Sequence, residues 1–431
     1  MEMSHLIILA LLLGSMAAYI PVFLCLFFTS VLGMLFFSDI PLLLLVQTLF
    51  RSLDNFALIV VLFFVLCGNI MTAGSIVEKL IKVVNTLVSW APGGLAMAGV
   101  LACGLFGAIS GSTVATVVAL GGFMIPAMIK EGYDESFTVG IMTTAPNLGV
   151  IIPPSISMIL YCMISNVSLE GLFLTGFIPG IFIMVFTCIY VYFVYRKDTR
   201  VSRMPVPTTR EVLFILKDGF WSILLPLIIF VGIFSGAFTA NEAAVVACVY
   251  AFIVEVFIHK SMKLNTLKKV TINSAVGSAV LLIIVAGASC FGRLLTMQNI
   301  PNAVTEAVMA HIHSPVVFLI AMNILLLLVG MMMDIISATL ILGPVFLPML
   351  QAFGIDVMHF GLIMTINLAI GYCTPPVGVS LYITGAMVNR NLLFVSKAIV
   401  PFVLIQILVL LMMTFMPDLV LWLPKVMGFY E

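Results

Sequence analysis

The sequence predicts an all-α, polytopic membrane protein made of two inverted-topology repeats, each holding a re-entrant helical hairpin and a broken transmembrane helix. Three observations carry this: the composition, an internal repeat, and the placement of Lys and Arg. Of the 431 residues, 63% are hydrophobic and 8% are charged, whereas soluble globular chains carry about a quarter charged residues. Apolar stretches of about 20 residues, the length a helix needs to cross a bilayer, recur from end to end. The lipid bilayer is therefore an expected partner, and a soluble domain is not. No basic patch with interleaved aromatics points to nucleic acid.

Sliding the chain against itself by 222 positions aligns Gly121 with Gly343, Pro126 with Pro348, Gly132 with Gly354 and Asp134 with Asp356. The same offset pairs Met142-Thr143 with Met364-Thr365, Pro153-Pro154 with Pro375-Pro376, and Pro179 with Pro401. Gly and Pro carry the matches, as expected where the repeated feature is backbone conformation. A first repeat is assigned to 1–200, a basic linker to 201–217 and a second repeat to 218–431.

In order, the first repeat offers apolar segments at 4–18, 20–37, 52–75, 92–130, 135–166 and 171–195. The second offers 220–238, 241–258, 272–297, 314–352, 357–388 and 397–424. The N-terminal run lacks a basic flank and a cleavage site, so it reads as a first membrane helix. Segments 92–130 and 314–352 are near twice spanning length with polar or glycine-rich middles, Ser110-Gly111-Ser112 and Gly330 to Ser337. These are expected to be hairpins that enter and return on one side, their tips covered by protein.

Counting the hairpins as returns gives five crossings per half, an odd number, so the halves are inverted. Placing 196–217 in the cytoplasm puts 15 of the 18 Lys and Arg on that side, leaving only Arg51, Arg293 and Lys425 elsewhere. The positive-inside rule selects this orientation. Both termini and the loop 298–313 are then outside, and the hairpins approach from opposite faces.

Pro153-Pro154 and Pro375-Pro376 interrupt otherwise spanning helices, and paired breaks of this kind point to a transporter's binding site. A break frees carbonyls at the negative end of a helix dipole. With Ser and Thr hydroxyls these make an oxygen cage suited to sodium. One cage would draw on Ser110, Gly111, Ser112, Gly149, Ile152 and Ser155; the other on Gly330, Gly371, Thr374 and Val377. The alternative is that the Gly and Ser residues only permit close helix packing.

Asp334 is the only charged residue between Val316 and Leu350. An intramembrane carboxylate is costly and marks function. It would serve a cation, accept protons, receive substrate hydroxyls, or cap a helix. Arg293 either pairs with a substrate carboxylate, snorkels to the outer interface, or binds Asp334 or a helix end. Asn147, Ser157, Thr143 and Ser112 are candidate hydrogen-bonding partners of a substrate, although Ser and Thr often bond their own helix. Glu242 reads as a cap. The eight scattered cysteines read as buried apolar side chains, and His311 with His313 as part of a polar loop.

Gly107-Ala-Ile-Ser-Gly-Ser-Thr-Val-Ala, Ile152-Pro-Pro-Ser155, Thr239-Ala-Asn-Glu-Ala-Ala, Gly330-Met-Met-Met-Asp334 and Thr374-Pro-Pro-Val-Gly378 together resemble the large membrane subunit of tripartite ATP-independent periplasmic (TRAP) transporters. The resemblance spans essentially the whole chain. It departs at Ala240-Asn241-Glu242, where the family commonly shows Pro-Thr-Glu. It implies an elevator of the ion-transporter-superfamily type in a bacterial inner membrane, driven by sodium as the coupling ion and without other cofactors. It also implies a separate small four-helix membrane subunit and a soluble periplasmic binding protein as partners. The implied substrates are organic acid anions: dicarboxylates, sugar acids or sialic acids. The family's cation sites and hairpin aspartate fall on the two clusters above and on Asp334. A binding-protein-independent sodium/carboxylate symporter is the nearest alternative. A membrane-embedded enzyme is a distant one, because Asp334 and Arg293 form no catalytic cluster; a channel would need a ring of charge that is not apparent.

Overall fold

The computed structural model describes residues 3–18, 20–38, 41–201 and 204–430. Arg203, counted above among the cytoplasmic charges, lies outside the described residues. The first half runs α1 (Met3–Ala17), α2 (Val22–Phe37), α3 (Leu43–Leu53), α4 (Ala57–Ala73), α5 (Ile76–Val88), α6 (Gly94–Ser110), α7 (Thr113–Thr116), α8 (Gly122–Lys130), α9 (Glu135–Thr144), α10 (Leu148–Ile151), α11 (Ile156–Ser165) and α12 (Leu169–Tyr195). A π-helical turn, Val117–Gly121, joins α7 to α8, and a 3-10 turn, Ala145–Asn147, joins α9 to α10. The second half has α13 (Thr209–Asp218), α14 (Phe220–Phe234), α15 (Ala240–Ile253) with a π-helical turn Val254–Ile258, α16 (Leu264–Met297), α17 (Ile300–Met309), α18 (Pro315–Met332), α19 (Ile335–Phe353), α20 (Val357–Tyr372), α21 (Val379–Val388), α22 (Leu392–Phe415) and α23 (Pro417–Val426).

Shifted by the 222 positions of the sequence repeat, the ends of α16 to α22 fall within two residues of those of their partners from α3 to α12. The partners differ where local sequence differs. α16 is one helix of 34 residues, whereas α3 and α4 bend by 55° at Asp54-Asn55-Phe56. Pro146 tightens the first broken helix into a 3-10 turn, and α20 has no proline at the equivalent place. By length and composition, eight described helices can cross a membrane, or ten if each bent pair counts as one.

Four expectations need correction. The segment expected at 52–75 begins its helix at Leu43, and the one expected at 272 begins at Leu264. The linker expected at 201–217 contains α13, and the loop expected at 298–313 contains α17. The stretch after α4 likewise holds α5, an amphipathic helix burying Ile76, Val77, Leu80, Ile81, Val83 and Val84. Glu242 does cap α15: its Oε2 accepts the Thr239 N–H at 2.8 Å, and its own N–H reaches Thr239 Oγ1 at 3.3 Å.

Packing sorts the helices into two groups. α2, α3, α4, α15 and α16 pack on one another. The hairpins α6–α8 and α18–α19 pack with the broken helices and with α12 and α22. α5 and α17 connect the groups, and α16 meets the hairpin helix α19 along a shared seam.

Candidate functional site

Both hairpin tips turn on residues the sequence supplies for the purpose. In the first, Gly111 adopts φ +59°, a left-handed conformation open to glycine, and ends α6. Ser112 then caps α7, its Oγ accepting the Ala115 N–H at 3.4 Å. In the second, Asp334 caps α19, with Oδ2 accepting the Ser337 N–H at 2.9 Å. Ser112 and Asp334 occupy equivalent places at the offset of 222. The aspartate is therefore the second repeat's version of a capping serine, with a charge added.

Each tip lies against its own broken helix. A Cβ on Gly107 would lie 2.7 Å from the Gly149 nitrogen, and one on Gly371 would lie 2.6 Å from the Gly330 Cα. Neither position has room for a side chain. A Cβ on Gly111 would meet the Pro154 carbonyl at 3.0 Å, and the Val377 N–H donates to the Met331 carbonyl at 3.1 Å. Both Pro-Pro bonds are cis. Because Pro153 and Pro154 have no N–H, the Gly149 and Val150 carbonyls lose their helical donors; Gly371 and Tyr372 likewise lose those of positions 375 and 376, and the Gly371 carbonyl accepts the Thr374 N–H at 2.9 Å instead.

Hydroxyls gather at these breaks. Ser110 Oγ and Thr116 Oγ1 lie 3.2 Å apart, and Thr116 Oγ1 donates to the Ser112 carbonyl at 2.8 Å. Ser155 Oγ and Ser157 Oγ pair at 2.9 Å. The Ile152 side chain packs towards Gly104 and Gly180. Thr374 Oγ1 donates to the Ile370 carbonyl. The buried hydroxyls of Thr113, Ser337 and Ser380 have no partner among the described residues. Buried polar groups are rarely left unpaired. Hydroxyls and carbonyls without a thiolate or imidazole form a hard-oxygen donor set, which fits an alkali cation rather than a transition metal.

Between the tips is a cavity of about 310 Å³, lined by Gly111 to Val114, Asp334 to Ile336, Val150, Tyr372, Ile156, Ser157 and, from α16, Leu281 and Ile284. Residues 112–114 and 334–336 are repeat equivalents, and so are Val150 and Tyr372. The symmetry fails at Ile156 and Ser157. Their equivalents, Gly378 and Val379, instead line a second cavity of about 360 Å³ with Gly330, Val377 and Asp334. Asp334 faces both cavities, and no Lys or Arg among the described residues lines either.

Electrostatics come from helix ends. Thr113, Ile156 and Ile335 are the first residues of α7, α11 and α19, so three positive helix poles meet at the first cavity. α7 counts here because the chain from Thr113 to Lys130 continues as one apolar span. Val150 and Tyr372 bring the negative poles of α10 and α20 to the same place.

Three sequence candidates lie elsewhere. Thr143 donates to the Val139 carbonyl of its own helix at 2.6 Å. Asn147 lines neither cavity; its Nδ2 donates to Gln406 Oε1 at 2.9 Å and to Cys373 Sγ at 3.2 Å, tying the first broken helix to α22 and to the second break. Arg293 lines a separate cavity of about 260 Å³. Sequence reading missed Thr113, Thr116, Tyr372 and Gln406. Tyr372 is next to the expected ligand Gly371, and the i, i+4 spacing from Ser112 would have found Thr116. Gln406, in the middle of an apolar helix, gave no positional signal.

The model of the family described as "Tripartite ATP-independent periplasmic transporter, DctM component" matches residues 7–419. The C4-dicarboxylate TRAP transporter large permease protein DctM of Pseudomonas aeruginosa is 38% identical over 400 residues, covering 93% of each chain. The isethionate TRAP transporter permease protein DctMQ of Oleidesulfovibrio alaskensis is 32% identical over 380 residues, covering 88% of this chain and 60% of its own length. Among solved structures, the YdaH transporter of Alcanivorax borkumensis has a similar fold, with a TM-score of 0.62 over 88% of this chain and 89% of its own, at 14% identity.

Proposed function

This chain belongs to the DctM family of TRAP transporter large permeases, and from that membership and the cavity geometry we propose sodium-coupled, binding-protein-dependent uptake of an organic acid anion. The substrate class best supported is a C4-dicarboxylate, the class named for the P. aeruginosa relative; a sulfonate such as isethionate, named for the O. alaskensis relative, has the same anionic chemistry. The chain sits in the bacterial inner membrane with both termini on the periplasmic side. It works with a small membrane subunit and a soluble binding protein.

One observation carries this reading: three helix N-termini converge on a cavity that has a carboxylate and, among the described residues, no basic side chain. An anion gains from the positive poles of α7, α11 and α19. It is repelled by Asp334 unless cations intervene, and the cations have places at the carbonyl ends of α10 and α20. One cation is held by Ser110, Gly111, Ser112, Gly149, Ile152 and Ser155, with Thr116 added. The other is held by Gly330, Gly371, Thr374 and Val377. Sodium and substrate thus stabilise each other's binding around Asp334, which faces both cavities, and this is the physical basis of symport. The sorting of the hairpins and broken helices into one packing group, which meets the group around α16 along the α16–α19 and α4–α6 contacts, supports movement of the former as a block, an elevator.

The test is uptake into proteoliposomes holding the complete transporter, with a labelled C4-dicarboxylate, the cognate binding protein and an imposed sodium gradient. Accumulation should require sodium and the binding protein. Equal uptake in potassium would overturn the two cation sites, and equal uptake without binding protein would favour a stand-alone symporter.

A further inference from the structure

Among the described residues no cationic side chain lines the two central cavities, yet a guanidinium stands on the same seam. Leu281 and Ile284 of α16 line the 310 Å³ cavity. Ala288, Gly292 and Arg293 line the 260 Å³ cavity further along the same helix. Positions 281, 284, 288 and 292 recur every three or four residues and so share one face of α16. The facing helix α19 repeats the pattern: Ile335 and Ile336 line the 310 Å³ cavity, and Leu340 and Pro344 the 260 Å³ cavity. The seam between them is open at Gly292, where a Cβ would meet nothing nearer than Pro344 Cγ at 3.8 Å. The nine residues from Ile284 to Arg293 set their Cα atoms about 14 Å apart along the helix axis.

Arg293 is exposed and has neither a hydrogen bond nor an ion pair with any described residue. A guanidinium in an apolar segment of a membrane helix calls for an anion, and its planar fork fits a carboxylate in bidentate fashion. We propose that Arg293 and the α16–α19 seam form an outer anion subsite, where a substrate carboxylate binds before it reaches the cavity at Asp334. This rests on the transport reading above, including its orientation. The same fork accepts a lipid phosphate, so the experiment has to separate the two.

Three variants of the complete transporter are reconstituted with its binding protein. Arg293→Gln should raise the KM for the dicarboxylate about tenfold and leave the maximal rate within about twofold. Arg293→Lys, which keeps the charge, should recover most of the loss. The Arg293→Cys variant is treated with a cationic thiol reagent, with the parent protein as control for the native cysteines. Saturating dicarboxylate should slow the modification, equally in phosphatidylcholine vesicles and in vesicles with phosphatidylglycerol, and the modified variant should regain affinity. An unchanged KM in Arg293→Gln overturns the subsite. Protection that follows phosphatidylglycerol content rather than substrate assigns the site to lipid, and protection that is complete without substrate assigns it to a partner subunit; either overturns it. If the unaltered transporter moves no carboxylate, the transport reading fails first, and the two failures are distinct.

Discussion

The buried carboxylate of Glu255 accepts the backbone N–H of Ser75 at 2.7 Å, joining the second half of the chain to the first. The same carboxylate accepts the Ile76 N–H at 2.7 Å, the Ser75 hydroxyl at 3.1 Å and the Ser261 hydroxyl. It therefore satisfies the free donors at the start of α5, the helix that leads from the α4 group to the first hairpin. The other arm has a matching joint: Gln298 Nε2, just before α17, donates to the Phe37 carbonyl at the end of α2 at 2.6 Å. At the repeat offset Gln298 corresponds to Ile76, and Phe37 to His259. Each arm is thus clasped to the other half's second apolar segment, one clasp through a carboxylate and the other through an amide.

Glu255→Gln keeps the size of the side chain but turns an NH₂ towards groups that already donate. Leaving buried donors unpaired costs about 2 kcal/mol, more when the lost acceptor is charged. The thermal midpoint in detergent should fall by several degrees. A midpoint within error of the parent would show that the clasp does not hold α5.

His259, one turn after Glu255, offers a pH-dependent readout of the same joint. Its Nδ1 lies 2.9 Å from Ser75 Oγ, and its buried Nε2 has no partner among the described residues. Burial holds its pKa below the ordinary 6.5, with Lys79 acting in the same direction and the Glu255 and Asp218 carboxylates opposing. The unfolded chain then binds the proton more readily than the folded one. The contribution of neutral His259 is present above about pH 6.5 and is lost as pH falls towards the folded pKa. Thermal midpoints measured from pH 8 to pH 5 should decline below about 6.5, and His259→Gln should flatten that decline. The same slope in both proteins would rule out His259 as its origin.

What the sequence made legible divides along physical lines. Pro153-Pro154 and Pro375-Pro376 remove backbone donors wherever they sit, so the breaks, the offset and the hairpin middles could be read from residue types alone. The short helices α5, α13 and α17 could not, because Glu78, Lys79 and Lys82 in α5, or Arg210 and Lys217 in α13, interrupt their apolar runs and make them resemble loops. A periodicity reading, rather than a hydropathy one, finds them. The partners of Asn147 were beyond reach, because Gln406 and Cys373 meet it only through tertiary packing. The equivalence of Ser112 and Asp334 was in plain view at the offset of 222 and required only that the alignment be followed to the tips.

The close approach of each tip to its broken helix gives a paired prediction. Gly107→Ala forces a methyl against Gly149 backbone, which cannot swing aside as a side chain would. Gly277→Ala, in the middle of α16, adds a methyl with nothing within 4 Å. The first should lower the thermal midpoint and cut sodium-driven uptake more than tenfold, while the second should leave both near the parent. Uptake by Gly107→Ala at the parental rate would mean that the tip does not need to rest on the break.

Asp334 does two things that one substitution separates. As the cap of α19 it supplies an oxygen to the Ser337 N–H, and asparagine caps nearly as well as aspartate. As a carboxylate shared by two cavities it supplies a negative charge, which asparagine lacks. Asp334→Asn should therefore insert into the membrane, keep its thermal midpoint within a few degrees and lose most uptake, at least tenfold. The loss should appear as weakened sodium dependence, since an anionic substrate gains nothing from the carboxylate directly. Ser112→Ala, the equivalent change in the first tip, removes a cap without removing a charge. It should cost about 1 kcal/mol of stability and, because Ser112 is one of the proposed cation ligands, lower the apparent sodium affinity, though less than Asp334→Asn does. If Asp334→Asn transports at the parental rate with unaltered sodium dependence, the residue is a cap in both repeats, and the charge belongs to some other purpose.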